Sequence, residues 1–251
     1  GANGMIGTAE AARAAPDGYT LLLNTAGAQT LSPVIYKANY EALNSFEPIS
    51  LICDVSFVVI ARKELPVNNM KELIALAQSG KPLSISSGSA MINLMSEEFK
   101  RIIKAPQIIN AQYKGTGPQW QAVVAGEVDF TLDPFAAVEM IRAGRVKALG
   151  VLSSQRAASF PDVPTLKEQG VEGMEFASWA GLLAPKGTPK EIVDALAQQM
   201  DKVMQMPEVI AKLKSYDYIP RRTSREEFAK LIDADNKRWQ RIVKETGFKI
   251  E

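Results

Sequence analysis

Hydrophobic residues along the chain follow two alternating patterns. Short apolar runs of strand length, such as YTLLLN at 19–24 and ISLICDVSFVVIARK at 49–63, are followed by segments whose apolar residues recur at helical spacing. The run at 49–63 is long enough for one extended strand or for two strands joined by a bend. Strands that alternate with helices are typical of an α/β fold in which helices pack on largely parallel sheets.

Capping signals mark the ends of several predicted helices. Asn69, followed three residues later by a glutamate, predicts a helix start, and Gly80 predicts its end. The segments 188–191 and 224–227 each match a capping box, in which a serine or threonine precedes a glutamate by three residues. Pro134 is expected to begin another helix, because proline is favoured at the first helical position.

Four segments share a strand, a loop of small residues and a helix start. They are NTAGAQ, SSGSA, YKGTGP and LDPFA. Ligands in open α/β sheets lie at the carboxyl ends of strands, and helix N-termini attract anions. For any one loop the simpler interpretation is preferred, since serine and glycine also cap helices and form turns. Four such loops in one chain favour a site for a small acid.

Composition excludes several classes of function. With 29 basic and 28 acidic residues the net charge is +1, which gives no electrostatic footprint for nucleic acid or an anionic membrane. The 251 residues include no histidine, which excludes Ser-His and Cys-His catalysis and histidine-ligated metal sites. The one cysteine, Cys53, cannot pair within the chain and is expected to be a buried apolar residue. We therefore assign no catalytic residue, no metal and no cofactor.

The glycines of GANGMIG, residues 1–7, have the spacing of a dinucleotide-binding loop and most resemble that of short-chain dehydrogenases. Such a loop needs an acidic residue at the end of the following strand to bind the ribose hydroxyls. Here that strand ends in Asn24, and no tyrosine has a lysine four residues later. An NAD(P)-dependent short-chain oxidoreductase is therefore the disfavoured enzyme alternative.

Five motifs in this order resemble the Bug-type extracytoplasmic binding proteins of tripartite tricarboxylate transporters. They are GANGMIG, PDGYTLLLNT, YKGTGP, RAGRVKALGVLSSQRAASFPDVPTLKEQG and WAGLLAPKGTPKEIVDAL. The resemblance covers essentially the whole chain. It implies a two-lobed, hinged, type II-like periplasmic binding protein that holds a small carboxylate between its lobes and delivers it to membrane components of the transporter. The carboxylate classes are dicarboxylates, tricarboxylates, acidic amino acids and aromatic acids, and a monomer is expected.

The resemblance also implies lobe boundaries and a cellular location. Lobe 1 is expected to comprise residues 1–57 and 178–251, and lobe 2 residues 58–177. Family members carry a further strand, a glycine-rich ligand loop and a helix before the part matched by Gly1, so the first ligand loop is expected to be missing from this chain. The expected location is the periplasm, with the signal peptide absent from this sequence.

Carried over by position, the family's ligand contacts fall on loops of both lobes. The implied ligand-binding residues are Asn24, Thr25, Ala26, Ser86, Ser87, Gly88, Ser89, Ala90, Lys114, Gly115, Thr116, Gly117, Asp133, Ser178 and Trp179. The chain departs from the family pattern at two places. Asn93 stands where a His-Leu pair is usual, and Pro134 replaces an asparagine, so ligand preference is expected to differ from that of relatives.

Three of these residues have a second interpretation. Asp133 either orients an amino or hydroxyl substituent of the ligand or caps the helix expected at Pro134, and the cap is favoured. Trp179 either lies against a ligand ring or packs in the core or hinge, which is the more common fate of tryptophan. Lys114 either aims its ammonium group at the ligand or is solvated beside a turn.

A third function remains as an alternative, an effector-sensing domain of a transcription regulator, because related two-lobed folds serve in that role. It would require a helix-turn-helix segment, and none is evident in the sequence.

Overall fold

The computed structural model describes residues 4–134 and 138–248. By its internal contacts the chain divides into two units: unit 1 comprises Gly1–Val55 and Ser178–Glu251, and unit 2 comprises Ser56–Ala177. At the first crossing the unit boundary falls two residues before the lobe boundary expected from the sequence. Both units combine strands with helices, which confirms the α/β class.

Unit 1 is built on a four-stranded sheet in which β1 (Leu22–Thr25), β8 (Ala177–Pro185), β2 (Phe46–Ser56) and β9 (Tyr218–Pro220) are neighbours in that order. Strands β1 and β8 are antiparallel, as are β2 and β9. The core lies between this sheet and helix α9 (Arg225–Thr246), and its buried side chains include Phe46, Trp179, Leu183 and Phe228. The elements of unit 1 are α1 (Met5–Arg13), β1 (Leu22–Thr25), a π-helix (Gly27–Leu31), α2 (Ser32–Ile35), β2 (Phe46–Ser56), β8 (Ala177–Pro185), α7 (Lys190–Val203), α8 (Pro207–Ser215), β9 (Tyr218–Pro220) and α9 (Arg225–Thr246).

Unit 2 is built on a five-stranded sheet in which β5 (Ile109–Gln112), β4 (Ser84–Ser87), β6 (Phe130–Asp133), β3 (Val58–Arg62) and β7 (Val146–Val151) are neighbours in that order. Strand β4 is parallel to β5 and β6, whereas β3 is antiparallel to β6 and β7. The elements of unit 2 are β3 (Val58–Arg62), α3 (Met70–Gln78), β4 (Ser84–Ser87), α4 (Ala90–Ile102), β5 (Ile109–Gln112), α5 (Thr116–Ala125), β6 (Phe130–Asp133), α6 (described over Val138–Arg142), β7 (Val146–Val151) and a 3₁₀ turn (Lys167–Gln169).

The expectation of largely parallel sheets is wrong, because both sheets contain antiparallel pairs. Strand β3 follows β2 directly, with only Phe57 between them, and it pairs antiparallel to both of its neighbours. Parallel neighbours need a crossover connection, usually a helix, whereas antiparallel neighbours do not. Because no helix separates β2 from β3, the alternation of strands and helices along the chain did not indicate the direction of β3.

The apolar run at 49–63 forms two strands rather than one. Strand β2 ends at Ser56 and β3 begins at Val58, and the buried Phe57 between them accepts a 2.8 Å backbone hydrogen bond from Leu152. Cys53 lies in β2 and is 2% exposed, as expected for a buried apolar residue, and burial raises the pKa of its thiol to about 11.

Two of the three predicted N-terminal capping signals are confirmed. Asn69 caps α3 by accepting a 2.9 Å hydrogen bond from the backbone N–H of Glu72. Ser224 and Glu227 form the predicted capping box at the start of α9. The predicted box at 188–191 is wrong: α7 begins at Lys190 after Pro189, and no side chain caps it. Thr188 instead donates its hydroxyl proton to the carbonyl of Pro185 at 2.8 Å, which closes the preceding turn.

The capping box of α9 gives a direct stability prediction. Changing Ser224 to alanine removes the acceptor for the Glu227 N–H, so we expect the free energy of unfolding to fall by about 1 kcal/mol. Urea titration followed by circular dichroism measures this difference. The matched control is Ser224→Asp, which keeps a capping oxygen and should retain wild-type stability. Equal stability of the alanine variant would show that the cap contributes nothing.

Within the described residues, the opening glycine motif is represented by Gly4–Gly7. Gly4 precedes α1 with a φ of 86°, a left-handed conformation that favours glycine. A Cβ at Gly4 would also lie 2.9 Å from the Cβ of Ala28. The carbonyl of Gly4 accepts a 3.0 Å hydrogen bond from the hydroxyl of Thr8. Gly4 is therefore needed for a tight turn that packs against a neighbouring helix.

Candidate functional site

The serine-rich loop after β4 contains the largest group of implied ligand residues. Ser86 and Ser87 end the strand and are buried, at 0% and 2% exposed. Ser89 has extended backbone and caps α4 by accepting a 3.3 Å hydrogen bond from the N–H of Ile92. The loop thus delivers the chain from a buried strand end directly to the N-terminus of a 13-residue helix.

The loop between β5 and α5 lies beside the serine-rich loop. The N–H of Tyr113 donates a 2.8 Å hydrogen bond to the carbonyl of Ser87, which joins the two loops. Gly115 has a φ of 104° and precedes α5, whose N-terminus has no side-chain cap. Lys114 is exposed, as in the solvated interpretation of this residue. The first-turn amides of α5 are therefore not capped by a side chain, which suits an anion.

Asp133 is the last residue of β6 and is fully buried. It pairs with Val58 in the antiparallel register of β3 and β6. Pro134 lies in a bend directly after β6. The helix start expected at Pro134 and the cap interpretation of Asp133 both depend on residues 135–137, which lie outside the described residues.

The structure brings these three segments of unit 2 to one edge of the sheet. Strands β5, β4 and β6 are neighbours and run parallel, with Ser86 in register with Ala111 and Thr131. The carboxyl ends of parallel strands meet at the same edge. The implied residues of unit 2 therefore form a continuous set at that edge: Ser86, Ser87, Gly88, Ser89, Ala90, Lys114, Gly115, Thr116, Gly117 and Asp133.

In unit 1 the implied residues at the end of β1 differ in exposure. Asn24 is 7% exposed and its side-chain N–H₂ group donates to Gln29 at 2.7 Å and to Thr8 at 3.2 Å. Ala26 is fully buried, and Thr25 is exposed. Asn24 therefore connects β1 to α1 and to the π-helix that follows, an irregular element often found at functional sites.

Trp179 is packed in the core of unit 1. It is 2% exposed, and its ring meets that of Phe228 edge to face at 5.2 Å between centroids. Its indole N–H donates a 3.2 Å hydrogen bond to Asp235. Its neighbour Ser178 is 8% exposed. This burial favours the core interpretation of Trp179 over a contact with a ligand ring.

Asp235 was not recognised from the sequence. Its Oδ2 atom accepts hydrogen bonds from Trp179 and, at 2.8 Å, from the hydroxyl of Thr30 in the π-helix. Burial raises the pKa of this carboxyl group, although the hydrogen bonds from Thr30 and Trp179 oppose the shift. In the sequence Asp235 is one of many charged residues of α9, and nothing in its spacing distinguishes it.

Two features are absent from residues 4–134 and 138–248. In this part of the chain, no group of three or more His, Cys, Asp or Glu side chains is arranged to hold a metal ion. Over the same residues, none of the helices combines the length and the apolar character required to cross a membrane.

Known proteins resemble this chain along almost its whole length. The model of the tripartite tricarboxylate transporter family receptors matches residues 1–248. Protein BugT of Bordetella pertussis is 31% identical, with 100% of this chain and 78% of BugT covered. The periplasmic binding protein BugD is 32% identical with a TM-score of 0.84, covering 100% of this chain and 86% of BugD. MatC from Rhodopseudomonas palustris, solved with bound malate, is 29% identical with a TM-score of 0.81, covering 97% of this chain and 85% of MatC.

Proposed function

The chain belongs to the tripartite tricarboxylate transporter receptor family, and on that premise we propose that it is a periplasmic receptor that binds a small dicarboxylate and delivers it to the membrane components of such a transporter. The observation that supports a ligand site is the convergence of two small-residue loops and a buried carboxyl group at one sheet edge of unit 2. The malate bound by MatC supports the ligand class. The family is one of receptors rather than enzymes, which argues against the oxidoreductase alternative.

Binding of a carboxylate at this edge needs no arginine. In our proposal, backbone N–H groups at the start of α5 and the hydroxyl group of Ser89 donate to the ligand oxygens. The Ser87 hydroxyl already donates to Asn110 at 3.0 Å. Each charge-assisted hydrogen bond contributes about 1.5 to 3 kcal/mol before the cost of ordering. A few such bonds suit reversible capture, because a receptor that delivers its ligand must also release it.

The polar residues implied for unit 1 have a different role in this proposal. Asn24 and Trp179 use their side-chain N–H groups in internal hydrogen bonds. We propose that they hold the end of β1 and the π-helix in place. Thr25, which is exposed at the end of β1, is the residue of this group that we propose as a ligand contact.

A ligand panel in a thermal unfolding assay tests the proposal. Malate, succinate, citrate, glutamate and benzoate are compared, with NAD and NADP as controls. An acid present at 100 times its dissociation constant should stabilise the protein by about 2.7 kcal/mol. Stabilisation by a dicarboxylate and by neither nucleotide is the expected result. If no acid stabilises the protein, or if a nucleotide alone does, the proposed function is wrong.

A further inference from the structure

A polar side chain lies in the interior of unit 2, directly beneath the two loops described above. Gln119, in the second turn of α5, is fully buried. Its side-chain N–H₂ group donates to the hydroxyl of Thr131 in β6, and the Thr131 hydroxyl donates in turn to the backbone carbonyl of Ser86 in β4 at 2.9 Å. This hydrogen-bonded chain joins α5, β6 and β4, and all three of its residues are 0% exposed.

The other end of the Gln119 amide faces the serine-rich loop. A Cβ built on Gly88 would lie within 3.0 Å of both the Gln119 Oε1 atom and the carbonyl oxygen of Gly115. Gly88 therefore packs closely against both the side chain of Gln119 and the backbone of Gly115, on the side where a side chain would project. A residue with a Cβ would not fit at this position without moving one of them.

The amide of Gln119 is a costly choice for this interior position. Among the described residues, none donates a hydrogen bond to the Oε1 atom of Gln119. The buried hydroxyl oxygen of Ser86 also has no hydrogen-bond partner in this part of the chain. An alanine or leucine would avoid the loss of hydration that an unpartnered buried acceptor carries. The amide donates to the Thr131 hydroxyl and, at 3.5 Å, to the backbone carbonyl of Leu132, and it lies against the loop at Gly88, which points to a role in holding that loop.

We propose that Gln119 is a positioning residue for the ligand site, which fixes the serine-rich loop against the loop before α5 through Thr131 and Gly88. This proposal rests on the proposed function. Loops fixed in their binding geometry need not be ordered when the ligand arrives, so positioning raises affinity. The residue acts on the ligand through the loops and is not itself a ligand contact.

The test uses paired substitutions in the full chain, with malate as the probe. Gln119→Met removes the hydrogen bonds at similar volume, and Thr131→Val removes the hydroxyl that connects Gln119 to Ser86. Each is expected to weaken malate binding about tenfold by isothermal titration calorimetry. Thr131→Ser keeps the hydroxyl and should restore binding to within about twofold of wild type. The double variant should bind no worse than either single variant, because both changes break the same connection.

The control is Gln107→Met, which removes a 2.6 Å hydrogen bond from another glutamine of the same unit, the exposed Gln107, to the carbonyl of Ala77. It should leave malate affinity unchanged. Malate binding by Gln119→Met within twofold of wild type, or additive losses in the double variant, would overturn the positioning role.

A second measurement does not depend on malate. Amide hydrogen exchange at Gly88 and Gly115 should accelerate in Gln119→Met and Thr131→Val but not in Gln107→Met. Unchanged exchange in the first two variants would also overturn the proposal. If the wild type binds no acid in the panel, the proposed function fails, and the exchange rates still decide whether Gln119 holds the loops.

Discussion

Replacing Gly88 with alanine is expected to weaken dicarboxylate binding by about 10- to 100-fold, the largest effect on affinity that a single methyl group should have in this chain. The added Cβ would lie within 3.0 Å of the Gln119 amide oxygen and of the Gly115 backbone. A flexible side chain could move aside, but the backbone of the neighbouring loop cannot move without displacing the start of α5. Both proposed ligand loops would therefore shift. Isothermal titration calorimetry with malate measures the change.

The control for this experiment is Gly7→Ala. Gly7 lies in α1 of unit 1, and a Cβ there meets no atom within 4 Å. Alanine is a better helix former than glycine, so stability should be unchanged or slightly higher and malate affinity should stay at the wild-type value. A Gly88→Ala protein that folds and binds malate as tightly as the Gly7 variant would contradict the placement of the ligand between these two loops of unit 2.

Local signals in the sequence predicted local structure well. Asn69 and Ser224 cap helices as expected, because a cap depends on residues within one turn of each other. Thr188 shows the limit of the same signal. It has the spacing of a capping box, yet a proline follows it and its hydroxyl bonds backwards to Pro185, so the helix starts without it. A spacing rule does not indicate whether a hydroxyl will accept from an N–H of the following helix or only donate backwards to a carbonyl.

The direction of strands was not available from the pattern. The continuous apolar run at 49–63 indicated buried strands, but it could not distinguish one strand from two or show that β3 would pair antiparallel on both sides. Such pairing is decided by residues far apart in the chain, as in the register of Val58 with Asp133 and Val151. Burial on both faces also removes the alternation that would have shown register.

The loops of the candidate site could be predicted from the sequence, but the buried hydrogen bonds that hold them could not. The small-residue loops of unit 2 were recognised from their composition and from the family resemblance, and the structure places them at neighbouring strand ends. Gln119 and Asp235 were missed, since each lies on a helix with other polar residues and no local spacing distinguishes it from them. Their partners, Thr131 and Trp179, lie 12 and 56 residues away in the sequence. Only the folded chain shows that these polar groups point inward.

The largest loss of stability is expected from Phe228→Ala in unit 1. Phe228 is fully buried and packs edge to face with Trp179, so truncation removes apolar burial, leaves a cavity and ends the aromatic contact. We expect the free energy of unfolding to fall by about 3 to 5 kcal/mol, measured by urea titration. The control is Tyr19→Ala, an aromatic truncation at a position that is 94% exposed, which should change stability by less than about 0.5 kcal/mol.

Gly181 provides a sharper test of this packing, because it separates the loss of burial from a general weakening of the fold. A Cβ at Gly181 would lie within 3.0 Å of three carbons of the Phe228 ring, so Gly181→Ala alone should destabilise the protein by about 1 to 3 kcal/mol. In the Phe228→Ala background the ring is absent, and the same methyl group would enter the space that it left. In that background, alanine at position 181 should lower the free energy of unfolding only slightly or should raise it. Additive losses would contradict the inference that this glycine is required by the phenylalanine ring packed against it.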